Sequence, residues 1–596
     1  MKKISKYLIL TIYIAFSILL LKKPIEANNI NEKGELRAVW ITPIIGDINS
    51  YSSENAFKNE MNNVLDVVEY YNLNTIFFHV RTHNNALYSS KLNPKASYWK
   101  NVNFDVFDPL KWLIEETKSR GIEFHAWMNP YRVSSTYYAE SLPSTNPASD
   151  SKNTLVYNGA TILNPGLPNV RQFVSDTILE FLENYDVDGI HFDDYFYINL
   201  GQNGGNIIDE TQDEQTFLKY RENFPYTNTG KQDWRREQVN LMVELASNTI
   251  KDFNNNNDTF VQFGISPTGI YKNGNGVVTY DNEGKAKTNG SKTRGQTHYS
   301  SYLFSDSLKW INAGWLDYIL PQSYWATNHN VAAYNEVMGW WNKVVKNLDV
   351  NLYSGIGLYM ARPGTNSFNW ISDPNEFNKQ LSLLETYKNA QGFSIFTYRD
   401  LKNAYTNQSG GDNVAKNMNN TKNDKLKYKA PLPNINTMQK QTINEVDRLL
   451  IEDGKLKWNK VENAKAYYIY KSKDELMFDN SEIIGSVGGN ILEFNLGLLD
   501  QEYNYGIKAL SKTNHLSKGT LLNKSITTLK DANYDESSNK LTFYGKISEK
   551  LNYDNYGFYV IYGKVNISEL IKNLDNTNIE MNQKKVYKKY VNNIKK

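Results

Sequence analysis

Asp188-Gly189-Ile190-His191-Phe192-Asp193-Asp194-Tyr195 decides how this chain is read. Ile190 and Phe192 alternate with polar neighbours in the period of a β-strand, and the strand delivers two adjacent carboxylates to its C-terminal end. In a barrel of parallel strands, that end carries the chemistry. Seven more β-type runs flank it: Leu36 to Thr42, Thr75 to Arg81, Glu123 to Asn129, Phe260 to Ser266, Tyr318 to Tyr324, Leu352 to Tyr359 and Gly392 to Tyr398. Segments between them carry helical stripes, such as Phe57, Met61, Val64, Leu65 and Val68, or Phe173, Val174, Ile178, Phe181 and Leu182. Strand alternating with helix predicts a parallel sheet, and eight repeats predict a (β/α)8 TIM barrel. No glycine-rich nucleotide turn follows the first strand, which argues against an open doubly wound sheet.

Loop lengths agree. Connections from helix into strand are short (Tyr71 to Thr75, Ser119 to Glu123, Tyr185 to Asp188), whereas those leaving strands are long (Pro130 to Pro168, Phe196 to Lys231, Pro267 to Ser305). Long loops on one face of a rigid scaffold are where a binding site is expected. With Ile76, Phe78 and Val80 turned toward the helices, His79, Arg81 and His83 face the lumen. The same alternation turns inward His125, Trp127 and Asn129, then His191, Asp193 and Tyr195. On the later strands it selects Gln262, Ser266, Gln322, Tyr324, Tyr359, Tyr398 and Asp400.

Asp193 is the first candidate for catalysis, an inward carboxyl at the rim that can serve as nucleophile, electrostatic stabiliser or acid. Asp194 begins the loop, where an aspartate also commonly caps backbone amides. Glycosidic cleavage needs a second carboxyl group. Asp400, Asp47 and Asp233 are the candidates, with Asp400 preferred by position and Asp233 competing as a helix N-cap. Arg81, His125, Asn129, His191 and Gln322 are candidate substrate contacts. Trp127, Trp325, Tyr195, Tyr324 and Tyr359 are candidate sugar platforms. Six of the seven histidines fall in the barrel, but no His-x-His or His-Glu-x-x-His spacing occurs, so neither a metal nor a cofactor is expected.

The chain has no cysteine, which excludes thiol catalysis, disulfides and thiolate metal sites. Lys2, Lys3 and Lys6 precede an apolar stretch, Tyr7 to Leu21, with Ala27 as a cleavage position, so residues 1–27 read as a signal peptide; Lys22-Lys23 keeps a retained anchor as the alternative. The formal charge is +2, and residues 1–27 hold five lysines and one glutamate, so their removal leaves −2. Near-neutral charge argues against nucleic acid as the partner. The 12 Trp, 42 Tyr and 25 Phe suit either sugar stacking or a large core.

Beyond the barrel, taken as 34–405, residues 406–434 read as a linker. Residues 435–528 turn all-β, with Leu456-Lys457-Trp458, Ala466 to Tyr470 and Tyr503 to Ala509 as strands. Residues 529–596 carry strand-like Leu541 to Lys546 and Gly557 to Tyr562 and a lysine-rich tail, and stay unassigned.

Motifs along the barrel resemble a known family. They are Glu35-Leu36-Arg37-Ala38-Val39-Trp40, His125 to Arg132, Leu163-Asn164-Pro165-Gly166, Gly189 to Tyr197, Asp233-Trp234-Arg235-Arg236, Ile265-Ser266-Pro267 and Pro321 to Trp325. In that order, over residues 34–405, they resemble the bacterial glycosyl-hydrolase-like-10 family. The resemblance implies a secreted or envelope-associated TIM-barrel glycosidase acting on a polysaccharide or cell-wall glycan. The fourth strand is also similar to that of alpha-amylase-type barrels, whose nucleophile stands at the place of Asp193. A chitinase-like acid would fall at Tyr195 and is absent. After the second strand, family members usually carry Pro-x-Gly-Asp-Ala, where this chain has Thr82-His83-Asn84-Asn85-Ala86. Any role of that carboxylate is changed by Asn85. The Leu-x-Trp-Asn, Ala-x-x-Tyr-x-x-Tyr and Tyr-x-Tyr-x-Ile-x-Ala patterns resemble a fibronectin type III sandwich, and the C-terminal region is a candidate for envelope association.

The expected function is therefore a glycoside hydrolase with Asp193 essential. A non-catalytic carbohydrate-binding surface protein on the same barrel is the competitor, favoured by Asn85 and by the lack of a glutamate at any strand end. A metal-dependent deacetylase-like hydrolase is the third reading.

Overall fold

In the computed structural model, residues 34–522 are described with short interruptions, the longest being 135–141 and 201–209; beyond them, four strands are described. All eight predicted strands are present: β1 Leu36–Ile41, β2 Thr75–Arg81, β3 Glu123–Met128, β4 Gly189–Phe192, β5 Gln262–Ile265, β6 Tyr318–Ile319, β7 Asn351–Ile356 and β8 Ala390–Ile395. Each pairs in parallel with its sequence neighbours, and β8 pairs with β1 to close the barrel. β6 is brief because Pro321 has no N–H to give the ladder. Pairing resumes at Gln322, which bridges Thr268 and Gly355.

Helices follow each strand: α1 Glu54–Tyr70, α2 Pro109–Ser119, α3 Pro168–Asn184, α4 Asn228–Asn257, α5 Ser307–Asn312, α6 Tyr334–Val344, α7 Glu376–Thr386 and α8 Tyr398–Thr406. Their starts are chemically marked. The Ser53 hydroxyl accepts from Ala56 N ahead of α1, and Asp108 accepts from Leu110 N and Lys111 N ahead of α2, whose first residue is proline. The predicted stripes Phe57, Met61, Val64, Leu65, Val68 and Phe173, Val174, Ile178, Phe181, Leu182 are buried against the outer faces of the strands. Each such side chain, fully buried, contributes roughly 1.5–3 kcal/mol.

The inner faces form a separate cluster of Leu36, Ala38, Trp40, Phe77, Trp127, Tyr318, Leu320 and Tyr353. Rings and histidines fill the lumen where branched aliphatics would fill a purely structural one. His125 and His191 belong to this filling. His125 lies between Glu123 and Tyr318, and His191 between Tyr318 and Trp40.

Residues 406–434 are not a free linker. They contain α9 Asn413–Asn423, which buries Val414, Ala415 and Met418 in the barrel's outer core, and Ala430 and Leu432 are buried as well. Then follow β9 Leu449–Glu452, β10 Lys455–Trp458, β11 Ala466–Ser472, β12 Glu482–Gly488, β13 Glu493–Asn495, β14 Asn504–Leu510 and β15 Thr520–Leu521. They make a three-stranded sheet, β9-β10-β13, and a four-stranded one, β12-β11-β14-β15, which share a core of Leu449, Leu456, Trp458, Tyr467, Ile469, Tyr505 and Ile507. The opposite face of the larger sheet buries Tyr468, Tyr470 and Ile483 with Leu432. Residues 523–596 form a unit of their own, with antiparallel pairs Thr527–Asp535 with Lys540–Ile547 and Gly557–Tyr562 with Lys585–Tyr590. Among the described residues no helix is long and apolar enough to cross a membrane. The apolar stretch 7–21 and the cleavage position Ala27 lie outside them.

Candidate active site

Where β4 ends at Phe192, Asp193 is the next inward side chain, buried at 4% exposure, and Asp194 is partly buried beside it. Burial pushes the Asp193 carboxyl well above its ordinary value, and the Asp194 charge adds to the push. Arg132, the Tyr195 N–H at 3.2 Å from Oδ1 and the Trp127 indole act the other way. Burial also raises Asp194 to about 6, against its own backbone N–H, Arg132 and Gln322. Two coupled carboxyls in one desolvated place titrate as a pair, and burial favours the protonated form of Asp193 more strongly than that of Asp194.

The walls come from neighbouring strand ends. The Tyr324 hydroxyl is raised well above its usual value by burial first, and by the charges of Tyr359, Asp194, Asp193 and Tyr195 after it. Its ring packs against Phe396 and edge-on to Tyr359, with centroids 5.7 and 5.8 Å apart. Gln322 is held by its Nε2–H to Ser266 O at 3.0 Å, and Trp127 stacks on His79 at 3.7 Å with a 4° tilt. Three buried polar atoms on these strand ends, His79 Nε2, Asn129 Oδ1 and Ser266 Oγ, have no hydrogen-bond partner among the described residues. Native proteins rarely leave such groups unsatisfied, so a polar ligand is their natural complement.

Several candidates have other tasks. Arg81 is 2% exposed and its N–H groups go to Asn93 Oδ1, Asn84 Oδ1 and the carbonyls of Asn129 and Pro130. It ties the loops after β2 and β3 together and is not a substrate contact. His125 and His191 face inward as expected but lie in the ring packing of the lumen, below Asp193. Tyr195 is 41% exposed at the rim rather than inside the lumen, with the Arg132 guanidinium 4.2 Å over its ring. Trp325 packs against the outer core and His329 and does not join the lumen cluster.

The distant carboxyls are also explained. β8 stops at Ile395, so Tyr398 and Asp400 lie in the first turn of α8. Tyr398 packs into the outer core, and Asp400 is clamped by Arg362 through two bonds of 2.6 and 2.7 Å. The bidentate clamp commits both Asp400 oxygens to Arg362 at the start of α8, apart from the Asp193–Asp194 pair, which makes Asp400 a bracing residue rather than the second working carboxyl. Asp47 is raised to about 6 by burial, but its oxygens accept from Thr42 N, Thr397 Oγ1 and Arg399 N, closing β1 onto β8. Asp233 lies inside α4, whose cap is Thr227, and pairs with Arg236. Asn85 is buried, and its Oδ1 accepts from Thr82 Oγ1 and His83 N. It braces its own loop with the acceptor that an aspartate would also offer.

Arg132 is the site residue that sequence reasoning passed over. It stands three positions after Asn129 in an already noted motif, and its charge was the available signal. Two other motifs make the scaffold. Arg235 and Lys231 of α4 bind buried Asp213, which also accepts from Tyr197, anchoring the loop that leaves Asp194. Trp234 lies under Gly166, where a Cβ would come within 2.7 Å of its ring.

A family model described as glycosyl hydrolase-like 10 matches residues 35–372. "Glycosyl hydrolase YngK" of Bacillus subtilis (strain 168) is 33% identical over 409 residues, covering 67% of this chain and 74% of that protein. "Glycosyl hydrolase DigH" of Escherichia coli (strain K12) is 29% identical over 399 residues, covering 63% and 85%. Among solved structures, the glycoside hydrolase domain of PgaB (BpsB) from Bordetella bronchiseptica aligns with a TM-score of 0.40 at 12% identity, over 61% of this chain and 94% of that one.

Proposed function

Because the chain belongs to the glycosyl hydrolase-like 10 family, we propose that it hydrolyses O-glycosidic bonds of a polysaccharide or cell-wall glycan, with Asp193 and Asp194 as its working carboxyls. The observation that carries this reading is the adjacent pair at the barrel mouth, both members raised by burial and both beside Tyr324. Asp193 gives its proton to the glycosidic oxygen as the C–O bond breaks. Asp194 stabilises the positive charge that develops at the anomeric carbon, water supplies the hydroxyl of the new reducing end, and the proton that this water loses returns to the Asp193 carboxylate. Arg132 and Gln322 keep Asp194 ionised. Tyr195, Tyr324, Tyr359 and Trp127 offer ring faces and edges to the sugar.

The finding on Asn85 weighs against the carbohydrate-binding alternative, because Asn85 supports its loop and its identity says nothing about chemistry. A panel of polysaccharides and peptidoglycan, with product analysis by mass spectrometry and anomeric NMR, tests the proposal. New reducing ends that disappear in Asp193→Asn support it; glycan binding without release by the unaltered protein would leave only a binding function.

We also place the protein outside the cytoplasm, secreted or at the envelope, on the strength of Lys2, Lys3, Lys6 and the apolar run to Leu21. Cell fractionation with N-terminal sequencing tests this, and an intact cytoplasmic chain would refute it. The two-sheet module is read as fibronectin type III-like on the patterns around Trp458, Tyr470 and Tyr505.

A further inference from the structure

The floor of the barrel holds charges that the proposed reaction does not use. Lys465, which leads into β11 of the two-sheet module, pairs with Glu123 at the start of β3 and with Asp188 just before β4, the latter at 2.9 Å. Asn514 of the same module donates to Glu123 Oε1 at 2.9 Å. Burial pushes Glu123 upward, yet Lys465 and His125 outweigh it and hold this carboxyl well below its usual range.

From Glu123 an unbroken run of hydrogen bonds climbs the lumen. Glu123 Oε2 is 3.2 Å from His125 Nε2, and His125 Nδ1 is 3.0 Å from the Tyr318 hydroxyl. That hydroxyl is 3.1 Å from His191 Nδ1, and His191 Nε2 is 3.1 Å from Trp40 Nε1. Both ends fix its direction. An indole N–H only donates, so His191 Nε2 accepts and its proton sits on Nδ1. That proton points to the Tyr318 oxygen, leaving the tyrosine's own proton for His125 Nδ1. His125 then carries its proton on Nε2 and gives it to Glu123, which must be a carboxylate to accept from His125, Lys465 and Asn514 together. Two strand glycines make room for the run. A Cβ at Gly189 would lie 2.3 Å from His125 Nδ1, and one at Gly264 would lie 2.0 Å from the Tyr318 ring.

We propose that the two-sheet module is a working part of the barrel and that Lys465 is a positioning residue. Acting through Glu123 it fixes the tautomer and orientation of His125, and through the Tyr318 hydroxyl the orientation of His191, whose tautomer Trp40 sets, and so the setting of β4, whose next inward side chain is Asp193. The tautomer pattern stands independently of the glycosidase reading; only the effect on turnover rests on it.

The test is NMR of the full-length protein with ¹⁵N-labelled histidine. The unaltered chain is expected to show His125 protonated on Nε2 and His191 on Nδ1. In Lys465→Met, Glu123 loses its cation and takes up a proton that faces His125 Nε2, so the run breaks at its lower end: the His125 pattern changes, whereas His191, held by the Trp40 indole, keeps its proton on Nδ1. Adding Glu123→Gln restores the His125 pattern, since the amide oxygen accepts from His125 and carries no titratable proton. Unaltered protein with either histidine protonated on the opposite nitrogen, or Lys465→Met with unchanged signals, overturns the proposal. If Lys465→Met does not fold, the pattern in the unaltered chain decides alone. With a substrate in hand, Lys465→Met is expected to lower kcat by about tenfold to a hundredfold with KM nearly constant, and the double variant to recover most of it. Absence of hydrolysis by the unaltered protein would count against the glycosidase reading and leave the tautomer result standing.

Discussion

Mouth and floor of this barrel each hold a pair of buried carboxyls, and the two pairs are opposites. At the mouth, Asp193 and Asp194 are desolvated, adjacent, and without an ion-pair partner among the described residues, and both are raised. At the floor, Glu123 and Asp188 share Lys465, and Glu123 is depressed. Burial is common to both, so burial alone does not mark a site of chemistry. What separates them is compensation. A buried charge with its counter-ion is architecture, whereas a buried pair left to share a proton is poised to transfer one.

The widest gap should appear in turnover. Asp193→Asn is expected to cut kcat by roughly 10²–10⁴ without lowering the melting temperature, because it replaces a poorly solvated acid by a neutral isostere. Equal losses of activity and stability would erase the distinction between the two ends.

Stability should respond with opposite signs. Removing one partner of a buried ion pair strands the other, although Asp188 still receives Lys465, so Glu123→Ala is expected to cost about 2–3 kcal/mol at pH 7. Asp194→Asn should instead stabilise by about 1 kcal/mol, the value left after allowing for its partial exposure. Urea unfolding curves measure both. Their pH dependence follows. Asp194 titrates at about 6 folded against 3.8 unfolded, so its contribution is fully present below pH 3.8 and is lost as pH rises through 6. Glu123, depressed from 4.5, contributes above that value and loses its contribution as pH falls.

Activity should sharpen the same contrast on a smaller scale. An ionised Asp194 is required, so kcat is expected to fall about tenfold for each pH unit below 6, and Asp194→Asn should remove that limb together with most of the activity. Least affected should be Asn85→Asp, which keeps the acceptor for Thr82 and His83. Kinetic constants within about twofold of the unaltered enzyme would agree with a loop brace, since a carboxylate at this buried position keeps both bonds that the Asn85 oxygen accepts.

Alternation made every barrel strand legible, because inward and outward residues differ in kind along β2, β3 and β4. It tells which way a side chain points, but not what it meets there. Asp193 is legible at the rim from its place at the end of its strand, but nothing in the pattern tells that the inward His125 and His191 are bonded into the lumen packing instead of meeting a substrate. Asp400 was misplaced because β8 ends at Ile395, and the run from Gly392 to Tyr398 carries no mark where strand becomes helix. The environment of Asp194 depends on Arg132 and Gln322, from other strands' loops, and Lys465 meets Glu123 across 342 positions of chain. Local pattern holds no record of such encounters.

The two lumen glycines bear on how such a barrel can change. An alanine at Gly264 would occupy the space of the Tyr318 ring, and one at Gly189 that of the His125 imidazole. Neither glycine can be replaced until its facing ring has shrunk, and neither ring can shrink without opening a hole and breaking the polar run. The floor is thus a ratchet: single substitutions are closed to it in both directions, and only paired replacements can move it to another packing.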